Sequence, residues 1–182
     1  GGVSTGSDNY GVYVGSTNGT ITSSGGDVTV TGQGGGGLNS GTRNFGVYLL
    51  WGGQITTIDG GSVTVVGQGG LGSGAYQHGV FVDNVDSNGR PSSIKAHDGD
   101  LSIIGRGGQS VGGTNVGIAV QYGGLIDVTG SGTVEMVGLG GDGDGGHHHG
   151  VLISQMDPAG NSSSITNALG DVILRGTGGT GG

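Results

Sequence analysis

Short runs of alternating apolar and polar residues recur along this chain at a nearly fixed distance. The first kind of run reads Gly11-Val12-Tyr13-Val14, then Gly46-Val47-Tyr48-Leu49, Gly79-Val80-Phe81-Val82, Gly117-Ile118-Ala119-Val120 and Gly150-Val151-Leu152-Ile153. Its leading glycines are spaced by 35, 33, 38 and 33 residues. A second run is centred on Ile21, Ile55, Ile94, Ile126 and Ile165. A third begins at Val28, Val63, Leu101, Val134 and Val172. Alternation with a period of two predicts a half-buried strand. Self-similarity at this spacing predicts a stack of like units. The columns that start at Val12, Val14, Ile21, Val28 and Val30 are aliphatic in every repeat, with Met136 the single thioether. They are expected to face inward, and the mixed columns between them outward.

Glycine punctuates each repeat at the same places. A GxGG element follows every third run: Gly32-Gln33-Gly34-Gly35, Gly67-Gln68-Gly69-Gly70, Gly105-Arg106-Gly107-Gly108, Gly138-Leu139-Gly140-Gly141 and Gly176-Thr177-Gly178-Gly179. Another glycine precedes each third run, at Gly26, Gly61, Gly99, Gly132 and Gly170. Two physical reasons are open at such positions: a positive φ, or an approach too close for a Cβ.

Three short strands per repeat and like-on-like columns fit a parallel β-helix better than a propeller, whose blade needs four antiparallel strands and a longer repeat. The expected fold is all-β, a right-handed parallel β-helix (β-solenoid) of five rungs of 33–38 residues. Five rungs at about 4.8 Å make a rod about 24 Å tall. Residues 1–182 are expected to form a single domain. Gly1-Gly2-Val3-Ser4 reads like the tail of a preceding GxGG loop, and Gly178 to Gly182 like a loop left open, so a segment of a longer array is expected.

Composition narrows the possibilities. Glycine supplies 51 of the 182 residues, but proline only 2, without a Gly-X-Y period, which excludes collagen. The formal net charge is −8, so no basic surface invites nucleic acid. No apolar stretch approaches a membrane span. The beginning carries no charged and apolar leader, so a mature or excised segment is expected. Cysteine is absent, which removes disulfides and thiol chemistry.

Candidate chemistry is sparse. Asp142, Asp144, His147, His148 and His149 share one loop, the densest set of potential metal ligands, although His149 also falls in the column of Tyr10, Phe45, His78 and Val116 and reads there as a packing ring. Asp83, Asp86 and Asn88 resemble part of a calcium loop without its closing glutamate, and equally an Asx-turn. The column Asp27, Ser62, Asp100, Thr133 and Asp171 alternates acids with hydroxyls, which suits a turn-tying role better than catalysis. No cofactor is expected beyond a possible calcium ion. Tyr13, Tyr48, Phe81 and Leu152 alternate against the buried valine column. They are therefore expected on the outer face, as an interaction stripe or covered by the glycine-rich loop, with Trp51 and Tyr122 nearby.

The pattern of G-[VI]-x-[VLI], a short isoleucine strand and G-x-[VL]-x-V-x-G-x-G-G over residues 10 to 179 resembles the glycine-rich β-helix repeats of large bacterial surface proteins, the filamentous-haemagglutinin-like and autotransporter-type passengers and giant adhesins. The resemblance implies secretion to the cell surface and a spacer or adhesive role, and it carries over no catalytic or ligand residue. The expected function is a structural or adhesive module of an extracellular fibrous protein, a rigid rod and not an enzyme. The alternative is a carbohydrate-binding or polysaccharide-active β-helix. Expected partners are other copies or neighbouring repeats end to end, and surface glycans or proteins; neither nucleic acid nor membrane insertion is expected.

Overall fold

Each aliphatic run becomes a strand because the equivalent run one repeat later supplies its hydrogen-bond partners. The computed structural model describes residues 2, 4–37, 39 and 41–181. Gly1, Val3 and Gly182, from the two terminal readings above, lie outside the described residues. Three parallel sheets of five strands run the length of the stack. The first contains Val12–Gly15, Val47–Leu50, Val80–Asp83, Ile118–Gln121 and Val151–Ser154. The second contains Thr20–Ser23, Gln54–Thr57, Ser93–Ala96, Leu125–Val128 and Ser164–Asn167. The third contains Val28–Gln33, Val63–Gln68, Leu101–Arg106, Val134–Leu139 and Val172–Thr177. Strands in each sheet follow one another in chain order, one per turn, and the fold is a parallel β-solenoid of five turns. A fourth sheet of two-residue strands, Leu71–Gly72, Gln109–Ser110 and Asp142–Gly143, runs through loops in which alternation is too short to read.

Register follows the repeat without slippage. Val12 pairs with Val47, Ile21 with Ile55 and Val28 with Val63, and the same columns continue to Val151, Ile165 and Val172. The five aliphatic columns form one core, and in the three middle turns their residues are 0 % exposed. A sixth inward column adds Thr57, Ala96 and Val128. Ser23 and Asn167 stand at its two ends, which hides it from an apolar pattern. Thr57 is tolerated inside because its hydroxyl donates to the Gly61 carbonyl at 2.7 Å. In the last turn Ile153, Val172 and Leu174 are 40–46 % exposed.

The glycines resolve in favour of close approach. Among the described residues, positive-φ glycines are Gly36, Gly52, Gly60, Gly89, Gly123 and Gly160, none of them in a GxGG element or leading a first strand. Instead, a Cβ on Gly67 would meet the Gly79 carbonyl, and one on Gly105 would meet the Gly117 carbonyl and lie 2.5 Å from Ile118 Cγ1. A Cβ on Gly79 would in turn meet the backbone of Arg106. The third sheet and the first therefore close on each other backbone to backbone, and the core ends in a seam with no room for side chains.

Positive φ falls mainly on non-glycine residues, in two columns: Asp8, Arg43, Tyr76, Thr114 and His147 before the first strand, and Ser16, Trp51, Asn84, Tyr122 and Gln155 after it. A left-handed conformation costs an L-residue about 1–2 kcal/mol. Its recurrence at the same point of every turn shows that the stacked sheets impose it.

The seam predicts a sharp contrast. Gly105→Ala is expected to destabilise by about 3 kcal/mol, because backbone cannot move aside. Gly146→Ala, where a Cβ meets nothing within 4 Å, is expected to stay within about 1 kcal/mol of wild type. Denaturant midpoints of the two variants check this.

Candidate functional site

The His-bearing loop is organised by a column of buried polar residues at its base. Asn9, Asn44, Gln77, Asn115 and His148 stack two positions before the leading glycines, and Asn44, Gln77 and Asn115 are fully buried. From Asn44 onward each side chain accepts a hydrogen bond from the amide of its counterpart one turn earlier. Asn9 N–H donates to Asn44 Oδ1 at 3.2 Å, Asn44 N–H to Gln77 Oε1 at 3.2 Å, Gln77 N–H to Asn115 Oδ1 at 3.2 Å and Asn115 N–H to His148 Nδ1 at 3.4 Å. Their amide groups donate onward to loop carbonyls, as in Asn44 Nδ2 to Leu71 O and Asn115 Nδ2 to Asp142 O, both 2.9 Å. The ladder satisfies backbone groups that burial would otherwise leave unpaired.

The five candidate ligands are not brought together. His148 is buried, with Nδ1 accepting from Asn115 and Nε2 2.6 Å from the Gly145 carbonyl. Both ring nitrogens are engaged in holding the loop. His147 and His149 are exposed, with ring centres 5.9 Å apart. The packing ring at the base of this loop is thus His148, and His149 is open to solvent in the last turn. Asp142 accepts from the Thr180 hydroxyl at 2.6 Å, which holds its carboxyl below the usual range. Asp144 is exposed. Among the described residues no group of three or more His, Asp or Glu could hold a metal ion.

The longer connections in the third and fifth turns are small arches. Val85 bridges Pro91 and Met156 bridges Ser162 in antiparallel fashion. Asp86 Oδ1 accepts from the amides of Asn88 and Arg90 at 2.8 and 2.9 Å, an Asx-type closure of its own loop. Asp157 does the same with Asn161 at 2.7 Å. Asp83 turns the other way, accepting from the Tyr48 hydroxyl at 3.2 Å. Asp83 and Asp86 therefore serve two separate tasks, each with one oxygen, while Asp83 Oδ1 and Asp86 Oδ2 are buried without a hydrogen-bond partner among the described residues.

The column of acids and hydroxyls ties turns together. Asp27 Oδ1 accepts from the Ser62 amide at 2.8 Å, Ser62 Oγ from the Asp100 amide at 3.2 Å, and Asp100 Oδ1 from the Thr133 amide at 2.8 Å.

Of the two alternatives open for the aromatic stripe, cover prevails over most of its length. Tyr48 and Phe81 are buried, Ala119 is fully buried and Leu152 is partly covered; Tyr13 alone stands out, 48 % exposed. The cover is the residue just before each leading glycine. The left-handed residue upstream turns Phe45, His78 and Val116 over the outer face, where they pack with Tyr48, Leu50, Phe81 and Ala119 as a second core. Phe45 stacks on His78 with ring planes 2° apart, and both meet Phe81 edge-on. Strand alternation assigns a face; it does not reveal that a turn residue three positions away covers that face.

Two depressions flank Trp51, which is 55 % exposed. One, of about 390 Å³, is lined by Asp8, Tyr10, Tyr13, Arg43, Tyr48, Leu50 and Trp51. The other, of about 550 Å³, lies against Ser16, Thr17 and the two arches. Arg43 and Asp8 form a two-pronged pair, Nε to Oδ1 at 2.7 Å and Nη2 to Oδ2 at 3.0 Å, with the Tyr10 hydroxyl donating to Oδ1 at 2.7 Å. The bond from Arg43 keeps the Asp8 carboxyl below its usual range. Asp8 and Arg43 carry no repeat signal in the sequence, because this ion pair occurs in one pair of turns only.

No family model matches the chain, and no curated protein or solved structure matches it either. The class is therefore defined by the fold, a parallel β-solenoid.

Burial of His78 and Asp83 makes stability depend on pH with opposite signs. Burial lowers the His78 imidazole to about 3, its Nδ1 accepting from the Val116 amide at 3.1 Å. The unfolded chain then binds the extra proton, so this contribution is lost as pH falls from about 6.5 towards 3. Relative to His78→Phe, the wild type is expected to lose about 1.4 kcal/mol per pH unit in that window. Burial raises Asp83 to about 6 despite the bond from Tyr48. Its contribution is present in acid and is lost as pH rises from about 3.8 to 6, so Asp83→Asn should expose the opposite slope. Denaturant unfolding at pH about 7, 5 and 4 separates the two.

Proposed function

We propose that this chain is a rigid structural and adhesive module of an extracellular, cell-surface fibrous protein. The observation that carries the reading is the unbroken register of three parallel ladders through all five turns. Stability in such a stack is a sum of repeat and nearest-neighbour terms, and here every interface combines an aliphatic core with backbone ladders. The side chains of the Asp27–Ser62–Asp100 column are engaged in turn-to-turn bonds, which supports the non-catalytic reading. The resemblance to adhesin-type passengers supports the same reading and supplies the location. Further turns of like kind, end to end, and surface glycans or proteins are its partners.

Antibodies against the chain are expected to label intact cells of the source organism, with the label lost after protease treatment of the cell surface. Labelling confined to lysed cells would overturn the location. Incubation with neutral and uronate polysaccharides is expected to give no turnover, and turnover abolished by Asp100→Ala would overturn the non-catalytic rod.

A further inference from the structure

Most aromatic residues of the outer cluster are covered, but Tyr13 and Trp51 are exposed and line one depression together with the Asp8–Arg43 pair. We propose that Tyr13, Trp51 and the Asp8–Arg43 pair form a binding site for a neutral pyranose glycan. The proposal rests on the adhesive reading above and names what the module adheres to.

Three features of the site point to this ligand. First, the Tyr13 ring is held in place. Tyr13 lies back over Gly15, where a Cβ would collide with its ring. The equivalent positions in later turns carry Leu50, Asp83 and Gln121, so only this turn permits that ring position. Tyr10 stacks beneath Tyr13 with centroids 5.6 Å apart. Secondly, Trp51 stands at the left-handed position, φ 51°, that every turn adopts after its first strand, filled by Ser16 and Asn84 in the adjacent turns and by Tyr122 in the fourth. Its ring is not used to fill the core. Aromatic faces of this kind receive the C–H face of a sugar ring, an apolar surface with a polar edge.

Thirdly, the polar partners suit hydroxyl groups. Two guanidinium nitrogens of Arg43 engage Asp8, which leaves N–H donors pointing elsewhere, and the carboxylate has acceptor capacity beyond its bonds from Arg43 and Tyr10. A sugar hydroxyl can both donate and accept, so neighbouring hydroxyls fit this pair. The charges cancel within the site, and the chain's net charge of −8 repels polyanions. A neutral glycan is therefore favoured over a uronate or sulfated one. The depressions of about 390 and 550 Å³ on the two sides of Trp51 are each of small-molecule size, roughly 300–1,000 Å³, and their shared wall allows more than one sugar unit to follow the turn edge.

Trp51 is the one tryptophan in the chain, so its fluorescence reports on the site directly. The full chain should be titrated with cello-, xylo-, manno- and galacto-oligosaccharides, with calorimetry in parallel and oligouronates as the anionic arm. A saturable response to at least one neutral series is expected. Tyr13→Ala and Trp51→Ala should each weaken the calorimetric affinity about ten-fold, and Trp51→Phe should restore most of the loss. Both side chains are exposed, so unchanged thermal unfolding confirms that the variants fold. No response to any neutral series, or an affinity unchanged in Tyr13→Ala, overturns the proposal, and so does a response to oligouronates alone. A chain that binds no glycan but still labels intact cells loses this site and keeps the fibre reading.

Discussion

The arrangement depends on the contact between the carbonyl of each leading glycine and the GxGG backbone of the preceding turn. Where the third sheet meets the first, the core tapers until main chain lies on main chain, and a methyl group on Gly67, Gly105 or Gly138 would occupy the place of that carbonyl. Each turn must close there before its aliphatic columns can face one another. The inward alternation Val63, Val65, Gly67 records the taper along a single strand: two side chains of core, then none. Glycine is entropically expensive to order, and its use in every turn measures how tightly the coil must shut.

Backbone groups brought so close need partners, and two polar columns supply them. The Asn44–Gln77–Asn115 ladder lies inside the loop base and holds the loops by their carbonyls. The Asp27–Ser62–Asp100 ladder lies outside and holds the entry to the third strand. Between these tethers the outer face of the first sheet is roofed by Phe45, His78 and Val116. Beyond this roof, Trp51 and the arches project at the turn after the first strand.

The aliphatic columns were legible in the sequence because a parallel coil stacks like on like, and hydrophobic identity survives from Val28 to Val172 without exception. The glycine positions were equally legible, but not their reason, since positive φ and close approach both select glycine. The polar ladder was hidden because its acceptors differ in chemistry, from Asn44 through Gln77 to His148, and are alike only in accepting an amide hydrogen from the turn before. Cover over Tyr48 and Phe81 was one of two open alternatives, but the residues that supply it were not legible, because they follow left-handed residues, Arg43, Tyr76 and Thr114, that are ordinary in composition. Asp8 and Arg43 meet only through the 35-residue offset of one turn pair, and a single pair leaves no periodic trace.

The outer ladder has a direction. Asp27 receives the amide of Ser62, and Ser62 receives that of Asp100, so each acceptor belongs to the earlier turn and each donor to the later one. A turn already in place therefore offers a fixed landing point to the segment that follows it. A chain that emerges amino end first could wind onto its own edge one coil at a time. Each coil laid down would become the template for the next.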